Sequence, residues 1–202
     1  MTLPDVSDAF RWTQEVWGPA LRCRPLESLA PHLFSTRQLT LTSEDDERWL
    51  REAIGGRTLS MLAQVHGTKV VVVRESNMPV RDTPGDALVS IQPGAAIGVR
   101  AADCVPVLIA DRATGAVAAV HAGWRGTAAG ACVVAVRALG REFGSRPADL
   151  VVALGPSIGT CCYEVGSEVV DAFAAAGLSR ARRGVLLAAL EREPAASVPR
   201  RL

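Results

Sequence analysis

Aromatic side chains are scarce in this sequence, with one Tyr, four Phe and four Trp among 202 residues. Proteins that bind single-stranded nucleic acid by stacking need more rings than that. Excess charge is missing too: 22 Lys and Arg against 21 Asp and Glu leave a net charge of +1. Such a balance steers the chain neither to nucleic acid nor to an anionic membrane surface. No apolar run is long enough to span a bilayer, and no basic segment leading into an apolar one marks a secretory leader. Five cysteines occur, at 23, 104, 132, 161 and 162. An odd number without framework spacing is not a disulfide scaffold, so a reducing cytoplasm is the expected compartment. What is present is 49% hydrophobic and 21% charged residues. That is the balance of a globular chain, long enough for one domain with a substantial core.

The densest information lies between Ala101 and Gly130. Val105 to Asp111 and Ala116 to Trp124 are apolar runs, the first rich in β-branched residues. Arg112-Ala113-Thr114-Gly115 between them is short and ends in Gly, which predicts a β-hairpin. With the turn centred on Ala113 and Thr114, Asp111 faces Ala116 and Pro106 faces His121. Cys104 then shares a face with His121, one diagonal step away. Diagonal neighbours stand roughly 7–8 Å apart at the backbone, so a thiolate and an imidazole can converge on one ion. A slip of one residue would put them on opposite faces.

Upstream, Met1 to Pro31 carries Pro at 4, 19, 25 and 31 and reads as short irregular pieces. His32 to Arg37 reads as a short strand. Thr42 and Ser43 offer caps for a helix over about 44–54, closed by Gly55-Gly56. Strands are expected over Thr58–Val65, Lys69–Glu75, Ala87–Ser90 and Ala95–Ala101, with Pro84-Gly85-Asp86 as a turn. Downstream, Thr127 to Leu139 has Ala129, Val133, Val136 and Leu139 at helix spacing, with Gly140 as a stop. Asp149–Leu154 is a strand, Gly155 to Gly159 a glycine loop, and Glu164–Ala176 a helix closed by Gly177. Cys161 and Cys162 are expected as buried thiols. Leu178 to Leu202, rich in Arg and Ala, is unlike the rest, and the one helix expected in it lies near 184–191.

Only three His occur, and two of them, His66 and His121, stand at glycine-flanked strand ends. With Cys104 they form a donor set suited to Zn²⁺ with an open fourth position. The same residues also fit separate roles as loop His, core His and small hydrophobe. His32 reads as structural. Arg125, between Trp124 and Gly126 at a strand-to-helix junction, would favour an anion, although glycines there also simply make turns. Asp103 is a general base, a support for Cys104, or a solvated carboxylate. Gln64, Ser35 and Arg37 are polar groups at element ends whose roles residue type leaves undecided.

Several motifs together resemble one family. They are Gln64-Val65-His66-Gly67-Thr68, Gly85-Asp86-Ala87-Leu88-Val89, Ala102-Asp103-Cys104-Val105-Pro106-Val107-Leu108 and His121-Ala122-Gly123-Trp124-Arg125-Gly126. Gly155-Pro156-Ser157-Ile158-Gly159 with Cys161-Cys162-Tyr163-Glu164-Val165 completes them, and Phe34-Ser35-Thr36-Arg37 fits an early motif. The chain thus resembles the YfiH family, labelled polyphenol oxidase or laccase-domain and later purine nucleoside phosphorylase. The motifs cover residues 32–177 of a single domain over 1–202, and 178–202 is an atypical tail, truncated or frame-shifted relative to the family.

The resemblance implies an α+β fold, with mixed sheets packed together and helices outside. It implies a zinc site at His66, Cys104 and His121, copper being the other candidate ion. It also implies phosphorolysis of purine nucleosides, methylthioadenosine included, and deamination of adenosine. Purine nucleosides and phosphate would be the partners. Deamination calls for an activated water at C6 of adenine. Phosphorolysis calls for a held phosphate, for which Arg125, Arg37 and Ser35 are candidates. Asp103 and Gln64, with Arg125, are the candidate catalytic groups. Two other classes stand beside this one. A copper-dependent polyphenol oxidase would have to ligate several coppers, mostly through imidazole, from three His. A catalytically impaired zinc-binding domain would keep the ion and lose the turnover.

Overall fold

The structure, a computed structural model, describes residues 3–76, 78–79 and 81–177. The backbone divides into two compact units, Met1–Ser157 and Ile158–Leu202.

The first unit is built on a five-stranded mixed sheet of order β4-β5-β8-β7-β9. These strands are β4 (Val70–Val73), β5 (Ala87–Ser90), β7 (Val105–Asp111), β8 (Val117–Ala122) and β9 (Leu150–Leu154). β4 and β5 run parallel, and the other neighbours are antiparallel. The β7–β8 register is the expected one, with Pro106 opposite His121. The Asp111 N–H donates to the Ala116 carbonyl at 2.8 Å at the turn, where Gly115 takes a φ of +76°. The Asp111 carboxylate binds the turn from within. It accepts the amides of Ala113 at 2.8 Å and Thr114 at 3.3 Å, and the Thr114 hydroxyl at 2.8 Å.

Alternation along the strands supplies the two faces of the sheet. Val107, Ile109, Ala118 and Val120 point to one side and meet Ala131, Ala135, Ala138 and Leu139 of α4 (Ala131–Phe143). The small residues on that helix let it approach the sheet closely. Leu108, Ala110, Val117 and Ala153 point the other way. They pack on Leu21, Cys23, Leu26 and Phe34 from β2 (Gly18–Cys23), α1 (Arg24–Glu27) and the segment that follows. β2 pairs with β1 (Phe10–Glu15), so the irregular reading of the N-terminal stretch is corrected to a hairpin and a short helix. The scattered prolines were misleading because a two-stranded ribbon has edges that tolerate them, as Pro19 opposite Gln14 shows. Phe34 makes a single bridge to Leu21 and not a strand over 32–37.

α2 (Glu44–Ala53) lies where expected, with the Ser43 hydroxyl accepting the Asp46 amide at 3.1 Å as its cap. β3 (Thr58–Ser60) and β6 (Ala95–Ile97) pair in parallel as a separate two-stranded sheet and are shorter than expected. Past Ser60 and Ile97 the ladder gives way to a side chain: the Gln64 amide takes over the bonding to the Arg100 backbone.

The helix expected over 127–139 is two helices, α3 (Trp124–Ala128) and α4, broken at Gly130 with a φ of +84°. The break resets the helical phase. Val133 is therefore exposed, and the inward stripe is Ala131, Ala135, Ala138 and Leu139.

The second unit contains α5 (Ser167–Ala175), which begins three residues later than expected, with Val169 buried and Gly177 beyond its end at a φ of +70°. The helix considered near 184–191, and the whole tail from 178, lie outside the described residues. No helix among the described residues is long and apolar enough to cross a membrane.

Candidate metal centre

His66, Cys104 and His121 arrive from three different places, and their ligating atoms lie within 4.8 Å of one another. His121 is in β8, on the face opposite α4. Cys104 immediately precedes β7, on the diagonal that the hairpin register dictates. His66 comes from the loop between β3 and β4. The two imidazoles meet edge-on, with centroids 4.8 Å apart and planes at 79°. His121 is buried, Cys104 half-buried and His66 exposed, so the group opens outward on the His66 side.

The residue that holds this arrangement is Asp86, fully buried just before β5. Continuing the β5–β8 register by one step places it opposite His121, whose backbone N–H donates to the Asp86 carbonyl at 2.7 Å. The His121 ring Nδ1–H donates to Asp86 Oδ1 at 2.9 Å, which leaves Nε2 as the lone-pair nitrogen. The same carboxylate accepts the backbone N–H of His66 at 2.9 Å and of Gly67 at 2.7 Å. One buried carboxylate thus orients the His121 imidazole, the arrangement found behind metal-bound histidines, and fixes the backbone that carries His66. His66 is bent into the left-handed region at φ +59°. That conformation costs a non-glycine residue roughly 1–2 kcal/mol; the converging amides on Asp86 hold it there.

Burial opposes charge on Asp86, but the donors from His121, Gly67, His66 and Val65 outweigh it and hold the carboxyl below its ordinary value. Burial pushes the Cys104 thiol up, and the carboxylates of Asp103 and Asp86 push it the same way. A thiol in that negative field yields its proton to a cation and to little else.

Gly123 forms the floor. A Cβ there would stand 2.9 Å from His66 Cδ2, 3.1 Å from Cys104 Sγ and 3.7 Å from His121 Cε1. Gly126 in α3 is equally tight, with a Cβ 2.9 Å from the Gly67 carbonyl. The glycines of the 121–126 motif therefore serve close approach rather than turns.

The other candidates have the following surroundings. Asp103 is exposed next to Cys104. Arg125 is exposed, with its guanidinium 4.1 Å over the Trp124 ring. Both oxygen and nitrogen of the Gln64 amide are engaged, each at 2.7 Å, on the Arg100 backbone. That clamp joins the His66 loop to the segment leading into Cys104. Ser35 and Arg37 are exposed just after Phe34, whose ring faces Gly155 beside Pro106. His32 is structural: its Nε2 accepts the Cys23 amide and its Nδ1–H donates to the Ala30 carbonyl, each at 2.9 Å. Asp86 and Gly123 were not singled out from sequence. A carboxylate heading a strand as apolar as Ala87-Leu88-Val89 was the available signal, because a buried charge there needs partners.

A family model described as multi-copper polyphenol oxidoreductase laccase matches residues 40–194. The chain belongs to this family, which includes the proteins called YfiH. It is 47% identical over 134 residues to a purine nucleoside phosphorylase of Pseudomonas aeruginosa, covering 66% of this chain and 51% of that protein. It is 42% identical over 114 residues to purine nucleoside phosphorylase YfiH of Escherichia coli, covering 56% of this chain and 44% of that one. The chain thus spans about half the length of these curated relatives. The crystal structure of a Bacillus licheniformis hypothetical protein YfiH shares its fold, at a TM-score of 0.66 and 23% identity over 86% of this chain and 74% of that one.

Proposed function

We propose that this chain is a zinc-dependent purine nucleoside phosphorylase that also deaminates adenosine and cleaves methylthioadenosine. The observation that carries the proposal is the His66–Cys104–His121 cluster with Asp86 behind it. Two imidazoles and one thiolate with an outward opening suit zinc with a free coordination position. When bound, the ion supplies Lewis acidity at the open side of the cluster.

The chain's own residues do the rest. Asp86 fixes the His121 tautomer and the His66 loop. Gln64 is a positioning residue, since its amide is spent on the Arg100 backbone. Arg125 offers a guanidinium to phosphate, and Arg37 and Ser35 are further candidates for that anion. The Asp103 carboxylate oxygens can take up or return a proton beside the cluster. The five cysteines are free thiols, which suits the expected cytoplasm.

The names of the relatives favour the phosphorylase reading, whereas the family description favours copper-dependent phenol oxidation. The state of His32 supports the phosphorylase reading. With its two ring nitrogens committed to Cys23 and Ala30, only two imidazoles remain, too few for several coppers. Copper remains a competitor for the single cluster. The test is one preparation of known metal content, given adenosine with and without phosphate. Adenine and ribose 1-phosphate should appear with saturable dependence on phosphate, and inosine without it. Oxidation of a phenol in proportion to bound copper, with adenosine unchanged, would overturn the proposal. A zinc-loaded protein that turns over neither would be the impaired binding domain.

A further inference from the structure

Apart from the metal cluster, the described residues hold one close pair of soft nucleophiles. Cys161 and Cys162, expected to be buried, are both exposed, and their sulfurs lie 3.0 Å apart. A tight turn holds them: the Gly159 carbonyl accepts the amides of Cys162 at 3.0 Å and Tyr163 at 3.1 Å. The other cysteines differ from this pair. Cys23 is buried, Cys132 half-buried, and Cys104 belongs to the metal cluster.

Two sulfurs this close have two ways to react together. A direct bond needs about 2.05 Å between them and a Cα separation of roughly 4.4–6.8 Å. Consecutive residues across a trans peptide stand only about 3.8 Å apart, so that bond would be strained. A single larger atom bridging the two sulfurs needs no such contraction.

We propose that Cys161 and Cys162 form a dithiol site for a trivalent arsenical, an electrophile whose one soft atom accepts two sulfurs. The reaction is a condensation without redox change. An arsenoxide R–As=O takes both thiols, two As–S bonds form, the two S–H protons leave with the oxygen as water, and arsenic stays trivalent. Linking the second thiol makes its capture intramolecular, worth about 100-fold or more in retention.

The probe is phenylarsine oxide, added to the zinc-loaded full chain and followed by intact mass and peptide mapping. One adduct is expected on the peptide carrying both cysteines, displaced by a small dithiol and resistant to a monothiol. Cys161→Ser and Cys162→Ser should each lose that resistance, and the double variant should take up no probe while keeping the zinc content and melting temperature of the parent. No adduct on the parent, an equal adduct on the double variant, or single variants that retain the probe like the parent would each overturn the proposal.

Discussion

Replacing Asp86 by Asn keeps the shape of the side chain behind the metal cluster and removes its charge. Asp86 Oδ1 serves His121 Nδ1 and the His66 amide; Oδ2 serves the Gly67 amide at 2.7 Å. Asn has one acceptor oxygen, so either Gly67 or the His121–His66 pair must face an NH₂ group instead. Hydrogen bonds to a charged partner contribute about 1.5–3 kcal/mol each. The loss at His121 is felt in full because the ring is buried, whereas the Gly67 amide lies near the exposed His66 loop and can turn to water. The expected destabilisation of the metal-free protein is about 2–4 kcal/mol, one partner lost outright and the others weakened. Metal affinity should fall about 10–100-fold, the usual cost of losing the group that orients a ligating His. Urea unfolding of the apo protein measures the first, and competition with a chromophoric chelator the second. An Asp86→Asn protein with unchanged unfolding midpoint and unchanged affinity would refute the role given to this carboxylate.

Gly123→Ala should weaken metal binding while leaving the fold nearly as stable, because its backbone angles suit alanine and the three atoms nearest the new methyl belong to the ligands; chelator competition and thermal melting separate the two effects. Gly155→Ala should do the reverse. Its Cβ would fall 2.4 Å from the Phe34 ring and 2.8 Å from Pro106, overpacking that costs about 1–3 kcal/mol and is read by urea unfolding. Asp111 should contribute an acid-sensitive step. Burial raises its pKa, but the hydrogen bonds from Ser145, Ala113 and Thr114 prevail and bring it from 3.8 down to about 2. A carboxyl depressed in the folded state stabilises above its unfolded pKa and loses that contribution as pH falls through the folded value. Unfolding free energy should therefore drop between about pH 4 and pH 2, and Asp111→Asn should be less stable at neutral pH with that step flattened.

The hairpin that carries Cys104 and His121 was legible because a short glycine-ended turn leaves β7 and β8 little choice of register, and register alone sets which side chains share a face. α2 was legible for a similar local reason, the Ser43 cap and the Gly55 stop. Information that depends on distant partners was not. The β1–β2 ribbon has no apolar alternation strong enough to override its prolines. The break at Gly130 shows itself only through the sheet that α4 must cover, which moved the inward stripe from Val133 to Ala131 and Ala135. Asp86 was visible as a turn residue beside an apolar strand, but its task depends on the β5–β8 pairing and on the loop of His66. Gln64 was seen as a polar group of open role, and its partner at Arg100 comes from a ladder that ends early. Residue type and strand-end position grouped His66 with the hairpin pair as a zinc donor set but left separate roles open for all three, and the family resemblance favoured the shared site.

Metal content per chain is the most direct measurement, made on the purified protein and on His66→Ala, Cys104→Ala and His121→Ala variants that retain the parent's circular dichroism. About one zinc per parent chain is expected, held by three side chains with one open position, and each variant should lose it under mild chelation. Zinc retained in full by the Cys104→Ala and His121→Ala variants would contradict the site.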